Sequence, residues 1–223
     1  RDYYASRGLG DVYKRQIYTW AADVAPLLDP IIYEAYYREV PQWRQEKADR
    51  IRFSEDRALS IGAYVLYQKA LRESGLSTEM CFNLSHSGHY VLCSIADEKE
   101  KRTGCDLEKI GTPGMKVARR FFCSSEWQYI REQESGEEQT EAFYRYWVLK
   151  ESFMKATRFG MKLPLDSFEI RLKDEGAPVL VRMPEHIRGE FYFHEYPQKE
   201  KGFFAAVCSE DPEIDDMLRW MTL

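Results

Sequence analysis

Three absences narrow this chain before any motif does. No cysteine pair is spaced CxxC. The five cysteines, Cys81, Cys93, Cys105, Cys123 and Cys208, lie far apart, which argues against a zinc ribbon or a dense disulfide framework and suits a reducing cytosol. No apolar run approaches the roughly 18–20 residues that a helix needs to cross a bilayer, and no basic start, apolar middle and small-residue cleavage site marks a signal peptide. The expectation is a cytoplasmic protein with no membrane partner. Positive charge is not in surplus: 32 Lys and Arg stand against 37 Asp and Glu. That balance argues against general affinity for nucleic acid, whose backbone is bound by cations that displace its counterions. What the chain has is core-forming material. With 44% hydrophobic and 14% aromatic residues over 223 positions, disorder is excluded, and one large domain or two small ones are expected.

The first sixteen residues, RDYYASRGLGDVYKRQ, lack an initiator Met and show neither strand nor helix period. They resemble translated adapter sequence and are read as a non-native leader, the natural chain starting near Gln16 or Ile17. IYTWAADV is expected to be a first strand. A helix is expected from Ser54, with Ser54 as its cap, Glu55 and Asp56 at the positive end of its dipole, Ala58, Ile61, Val65 and Ala70 near helical spacing, and Gly75 at its end. Cys81 to Leu84 and Tyr90 to Ala96 read as strands flanking a polar turn, Ser85-His86-Ser87-Gly88-His89. GCDLEKI alternates like a strand. Helices are expected at 116–123, 125–133 and 140–157, with ESGEEQ as a loop, and SFEIRL, APVLVRM, EFYFHEY and FFAAVCS read as strands. The fold class is therefore α+β, with an N-terminal α+β half over 17–102, a C-terminal half over 103–210 and a tail over 211–223, read as an amphipathic helix or a loose end.

Two short runs carry charge in unusual places. In Gly104-Cys105-Asp106-Leu107-Glu108, a period of two sends Asp106 and Glu108 to one strand face. The pair suits either a solvated face opposite Lys or Arg, or a hard cation such as Mg2+, which takes a few carboxylate oxygens together with waters and phosphates. In Trp147-Val-Leu-Lys-Glu-Ser-Phe-Met-Lys-Ala-Thr157, Lys150, Glu151 and Lys155 interrupt an apolar helix. Glu151 and Lys155 make either an ordinary (i, i+4) ion pair, worth about 0.2–0.5 kcal/mol, or a third carboxylate and a cation facing the strand. Trp147, Phe153 and Met154 read as packing residues, and His186 and His194 as structural. The Ser85-His86-Ser87 run offers hydroxyls and an imidazole to phosphate oxygens, whereas a Ser-His nucleophile is disfavoured because adjacent strand residues face opposite ways.

FNLSHSGHYVL, GCDLEKI and YWVLKESFMKATRFGMKLPLDSF, in this order and at these separations, resemble the 4′-phosphopantetheinyl transferase family, and within it the long, surfactin-synthetase-activating subtype. The resemblance runs from about Ile17 to Ser209 and rests on the joint GxDxE and WxxKExxxKA pattern. It implies two pseudo-symmetric halves, each a small, mainly antiparallel sheet packed with helices, with a ligand cleft between them. It implies Mg2+, for which Mn2+ can substitute, on Asp106, Glu108 and Glu151, with Glu151 and Lys155 as the catalytic pair. Coenzyme A, the donor, would be bound by Arg44, Lys47, Arg57, Ser85, His86 and Lys155. Lys116, Val117, Arg119, Arg120 and Phe121 would dock an apo acyl or peptidyl carrier protein, with Phe121 or Phe122 alternatively core. Three departures stand out: Arg44 where Lys is common, Cys105 where a β-branched residue is usual, and Phe159-Gly160 in place of Lys-Gly.

The implied reaction transfers 4′-phosphopantetheine from coenzyme A to a carrier serine with release of 3′,5′-ADP, as in nonribosomal peptide or fatty acid synthesis, by a monomer. The rival readings are an Mg2+-dependent hydrolase of the coenzyme A pyrophosphate and a non-catalytic module that binds coenzyme A or carriers.

Overall fold

Alternation along IYTWAAD turns Ile17 and Ala21 one way and Trp20 and Ala22 the other, and the fold is built on those two faces. The computed structural model describes residues 16–173 and 175–223; residues 1–15, on which the leader reading falls, lie outside them. Strands β1 (Ile17–Asp23), β2 (Phe82–Ser87), β3 (Tyr90–Ala96) and β9 (Ile214–Met221) form one sheet in the order β2-β3-β1-β9. Strands β4 (Thr103–Lys109), β5 (Glu169–Arg171), β6 (Val179–Arg182), β7 (Tyr192–Gln198) and β8 (Phe203–Ser209) form a second in the order β4-β8-β7-β6-β5. All neighbours are antiparallel except β1 and β9. Helices α1 (Pro30–Glu39), α2 (Gln42–Asp49) and α3 (Ser54–Ser74) precede β2, and α4 (Met115–Phe121), α5 (Ser124–Arg131) and α6 (Gly136–Thr157) precede β5. The architecture is the expected α+β class.

The core has three parts. Helix α3 packs Ile61, Val65 and Leu66 on Trp20, Val91 and Ile95 of the first sheet. Helix α6 packs Val148, Leu149 and Phe153 on Phe193, Phe204 and Ala206 of the second. Between the sheets lie Ile17, Ala21, Leu92, Cys105, Leu107, Ala205 and Val207. Strands β1, β3 and β8 are thus buried on both faces. The polar groups of the cleft are left to the edges, β2 of the first sheet and β4 of the second.

Several elements differ from the sequence reading. Helix α6 begins four residues early, because the ESGEEQ run contains a capping box: Ser135 Oγ accepts from the Glu138 N–H at 3.1 Å, and Glu138 Oε2 accepts from the Ser135 N–H at 3.2 Å. Such a cap stabilises a helix by about 1 kcal/mol. Ser54 does not cap α3; it is the first helical residue and its hydroxyl donates to Glu55. Gly75 ends α3 in the left-handed region, φ +69°. Ser85, His86 and Ser87 belong to β2, and the turn shrinks to Gly88-His89, with Gly88 at φ +61° in the first hairpin position, where a positive φ is needed.

The segment 211–223 is neither an amphipathic helix nor a loose end. It is strand β9, parallel to β1. A bulge between the Ile17↔Ile214 and Thr19↔Leu218 pairs breaks its alternation, so Ile214, Leu218 and Met221 fall at spacings that mimic a helix.

Candidate active site

Three elements bring the charged side chains to one place. On β4, Cys105 and Leu107 turn between the sheets, while Gly104, Asp106 and Glu108 turn toward α6. Gly104 is what lets helix and strand come so near. A Cβ there would lie 2.3 Å from the Ala156 nitrogen and 2.3 Å from the Ser152 oxygen, both backbone atoms of α6. With that contact made, Glu151 and Lys155, one helical turn apart, share a cleft with Asp106 and Glu108. From the first sheet, β2 runs beside β4. Ser85 Oγ donates to Asp106 Oδ1 at 2.9 Å, Ser87 Oγ donates to Glu108 Oε2 at 2.7 Å, and the Cys105 N–H donates to Asn83 Oδ1 at 3.0 Å. Leu84, His86 and Trp147 complete the lining of a cleft of about 290 Å³. Larger hollows of about 610 and 600 Å³, at the β6–β7 edge and beside Trp20, contain none of these residues.

Lys155 Nζ donates to Asp106 Oδ1 at 2.7 Å and to Ser85 Oγ at 2.9 Å, so its ion pair crosses the cleft to Asp106 and does not run along the helix to Glu151. Burial alone would lower the Lys155 pKa, but Asp106 above all and then Cys105 and Glu151 outweigh it, and the net shift is upward. Asp106 is 4% exposed, and desolvation pushes its pKa up to about 6 against the opposing pull of Lys155 and Ser85. Glu151 is raised first by desolvation and then by Glu108, with Lys155 opposing.

Asp106 Oδ2 is buried with no hydrogen-bond partner. A desolvated carboxylate with an orphaned oxygen is short of positive charge. The neighbouring acidic donors are oxygens only, which fits a hard divalent cation such as Mg2+. Among the described residues no three His, Cys, Asp or Glu side chains are already grouped to hold a metal. Asp106 is turned onto Lys155 and Glu108 onto Ser87.

Residues 102–208, from the start of β4 nearly to the end of β8, match the family model of the 4′-phosphopantetheinyl transferase superfamily. The rest of the chain lies outside that match. The chain is 35% identical over 144 residues to a 4′-phosphopantetheinyl transferase of Bacillus subtilis, a match covering 65% of this chain and 61% of that one. It is 35% identical over 135 residues to the transferase Sfp of Bacillus subtilis strain 168, covering 60% and 57%, and 38% identical over 141 residues to psf-1 of Bacillus pumilus, covering 63% and 58%. The chain thus spans about three fifths of the length of the curated relatives it matches.

The remaining residues assigned through the transferase resemblance fall into two groups. His86 stands at the cleft rim, and its pKa is lowered by desolvation first and then by Lys155, Arg44 and Lys47, with Asp56 opposing, so all three cations lie near enough to bear on it. Arg44 is buried at 7% exposure; its guanidinium donates to the Ser60 carbonyl of α3 and lies 5.5 Å from the Tyr64 ring. It brings charge toward His86 but little accessible surface. Lys47 is exposed. Arg57 is not brought to the cleft and lines a hollow with Leu27, Tyr33 and Ser54. Lys116, Arg119, Arg120 and Phe121 are exposed on α4, with Val117 half-buried and the Arg120 guanidinium 5.0 Å from the Phe121 ring, while Phe122 is core.

Sequence reasoning gave no role to Lys150. It is fully buried and pairs with the equally buried Glu126 at 2.8 Å, while also donating to the Leu165 and Phe168 carbonyls at 2.7 and 3.0 Å. Glu126 in turn accepts from the Cys123 and Ile170 N–H groups, both at 2.9 Å. The pair ties α5, α6 and the chain entering β5 together. The signal was available: positions 150 and 151 lie about 100° apart on a helix, so Lys150 could not share the Glu151 face.

Proposed function

We propose that this protein transfers 4′-phosphopantetheine from coenzyme A to a serine hydroxyl of an apo carrier protein and releases 3′,5′-ADP. The observation that carries the reading is the convergence of Asp106, Glu108, Glu151 and Lys155 on one cleft within the segment that matches the transferase superfamily model. The name of the relatives, 4′-phosphopantetheinyl transferase, supports the reaction class.

Asp106, Glu108 and Glu151 would hold Mg2+ or Mn2+, which when bound supplies positive charge at the pyrophosphate. The carrier serine oxygen forms a bond to the β-phosphorus as the bond from that phosphorus to the 3′,5′-ADP oxygen breaks. The electron pair leaves on that oxygen, where Lys155, kept protonated by its acidic neighbours, neutralises or protonates it. The serine proton passes to Glu151, the acid of the helix that shares the cleft with Lys155. His86, with the positive field of Arg44 and Lys47, faces the 3′-phosphate. The exposed cations and Phe121 of α4 receive the carrier.

The test is the intact mass of an apo peptidyl carrier domain after incubation with this protein, coenzyme A and Mg2+, beside an EDTA control and Glu151→Gln and Lys155→Ala variants. A gain of one phosphopantetheine group is expected, lost with EDTA and slowed about 10²–10³-fold in each variant, the typical cost of removing one preorganised group. Consumption of coenzyme A with no carrier modified would point to the hydrolase instead. Losses below threefold in both variants would sink the assigned roles.

A further inference from the structure

We infer that Ser87 is a positioning residue that aims Glu108 into the cleft, a role that rests on the proposed use of Glu108 as a cation ligand. The geometry leaves the hydroxyl one orientation. Ser87 Oγ accepts the Lys109 N–H at 3.1 Å, so its own proton is directed to Glu108 Oε2, 2.7 Å away. Among the described residues no hydrogen bond reaches the other oxygen, Oε1, which is therefore available to the cleft that Glu108 lines.

Ser87 itself is held firmly. It pairs with Tyr90 as the last residue of β2 before the two-residue turn, and the Gly88 beside it sits at φ +61°, a conformation that favours glycine. Two residues earlier the same strand face repeats the device, Ser85 to Asp106. The two hydroxyls therefore stand at the same spacing as the two carboxylates, and an edge strand of the first sheet sets the orientation of acids carried by the second. A glutamate has more rotatable bonds than an aspartate, and Glu108 is only half-buried, so it depends on this restraint more than Asp106 does. Partners that orient a metal ligand typically contribute tenfold or more to affinity.

The experiment compares Ser87→Thr with the near-isosteric Ser87→Val, both compatible with a strand. Mg2+ is titrated against the melting midpoint of the protein in the presence of coenzyme A, and against turnover. Ser87→Val should raise the Mg2+ midpoint about tenfold, lower the metal-free melting temperature by only about 2–4 °C for the lost Lys109 contact and leave kcat at saturating Mg2+ nearly intact; Ser87→Thr should behave as the wild type. Equal Mg2+ midpoints in wild type and Ser87→Val, or a Thr variant as weak as the Val variant, would overturn the inference and leave the transferase reading standing. A wild type whose melting and turnover ignore Mg2+ would instead remove the cation site and this inference with it.

Discussion

Adding a single methyl group at Gly104 tests the link from strand packing to chemistry. In Gly104→Ala the new Cβ starts 2.3 Å from two backbone atoms of α6, where ordinary contact begins near 3.4 Å, so helix and strand must separate by about 1.1 Å. Neither neighbour is a flexible side-chain end that can swing away. Ser152 and Ala156 are themselves fully buried on the β4 side of the helix. The cost belongs at the upper end of the overpacking range, about 3 kcal/mol, which for a chain of this size lowers the melting midpoint by roughly 6–12 °C. The same displacement carries Glu151 and Lys155 away from Asp106 and Glu108, and a shift of about 1 Å in a catalytic arrangement can reduce turnover about 100-fold. The assays are thermal unfolding and carrier modification followed by intact mass, well below the new melting midpoint. Cys105→Val is the control, since Cys105 faces the other way, between the sheets, and should keep activity within about threefold. Unchanged melting together with near-normal activity in Gly104→Ala would refute the close approach of α6 to β4 as the device that assembles the cleft.

Lys150→Met leaves the buried Glu126 carboxylate without its cation and should cost about 3–5 kcal/mol, read by denaturant unfolding, whereas Glu126→Gln combined with Lys150→Met should recover much of the loss. In the metal-free protein the Asp106 pKa is raised from 3.8 to about 6, so between those values the folded state binds more protons than the unfolded one and stability falls as pH rises. The melting advantage of Asp106→Asn over wild type should therefore grow from pH 4 to about 6.5 and then level off, by up to about 3 kcal/mol; a flat difference would contradict the burial of this carboxylate. Charge reversal of the exposed Arg119 and Arg120 should slow modification of an acidic carrier about tenfold at low salt, mainly through association, and flatten the salt dependence of kcat/KM.

The elements that sequence patterning placed well are those whose faces are set by one rule. Strand β4 reads correctly because period two decides which residues meet α6, and α3 reads correctly to its Gly75 end because the left-handed cap favours glycine there. Misreadings arose where two rules compete. The polar run at Ser85-His86-Ser87 looks like a turn by composition, yet its hydroxyls are bonded to carboxylates of a neighbouring strand that lies 21 residues on, a partnership invisible in local sequence. Strand β9 was hidden by its bulge, and its partner β1 lies at the other end of the described chain.

The charges of α6 show why a motif's spacing carries more than its residue types. Glu151 and Lys155 are about 40° apart around the helix and share the cleft, while Lys150, five residues before Lys155, is about 140° from it and points into the protein. One helix therefore carries two cation sites of opposite character. Lys150 is enclosed by a carboxylate and two carbonyls, which fix the helix to α5 and β5. Lys155 is partly open and bound to Asp106 and Ser85, groups supplied by both sheets. The first holds α6 rigidly from behind and Gly104 lets it approach from in front. The position of Glu151 and Lys155 over β4 is then set by backbone packing, so a substitution at Gly104, which never touches a substrate, should alter turnover about as strongly as one in the cleft.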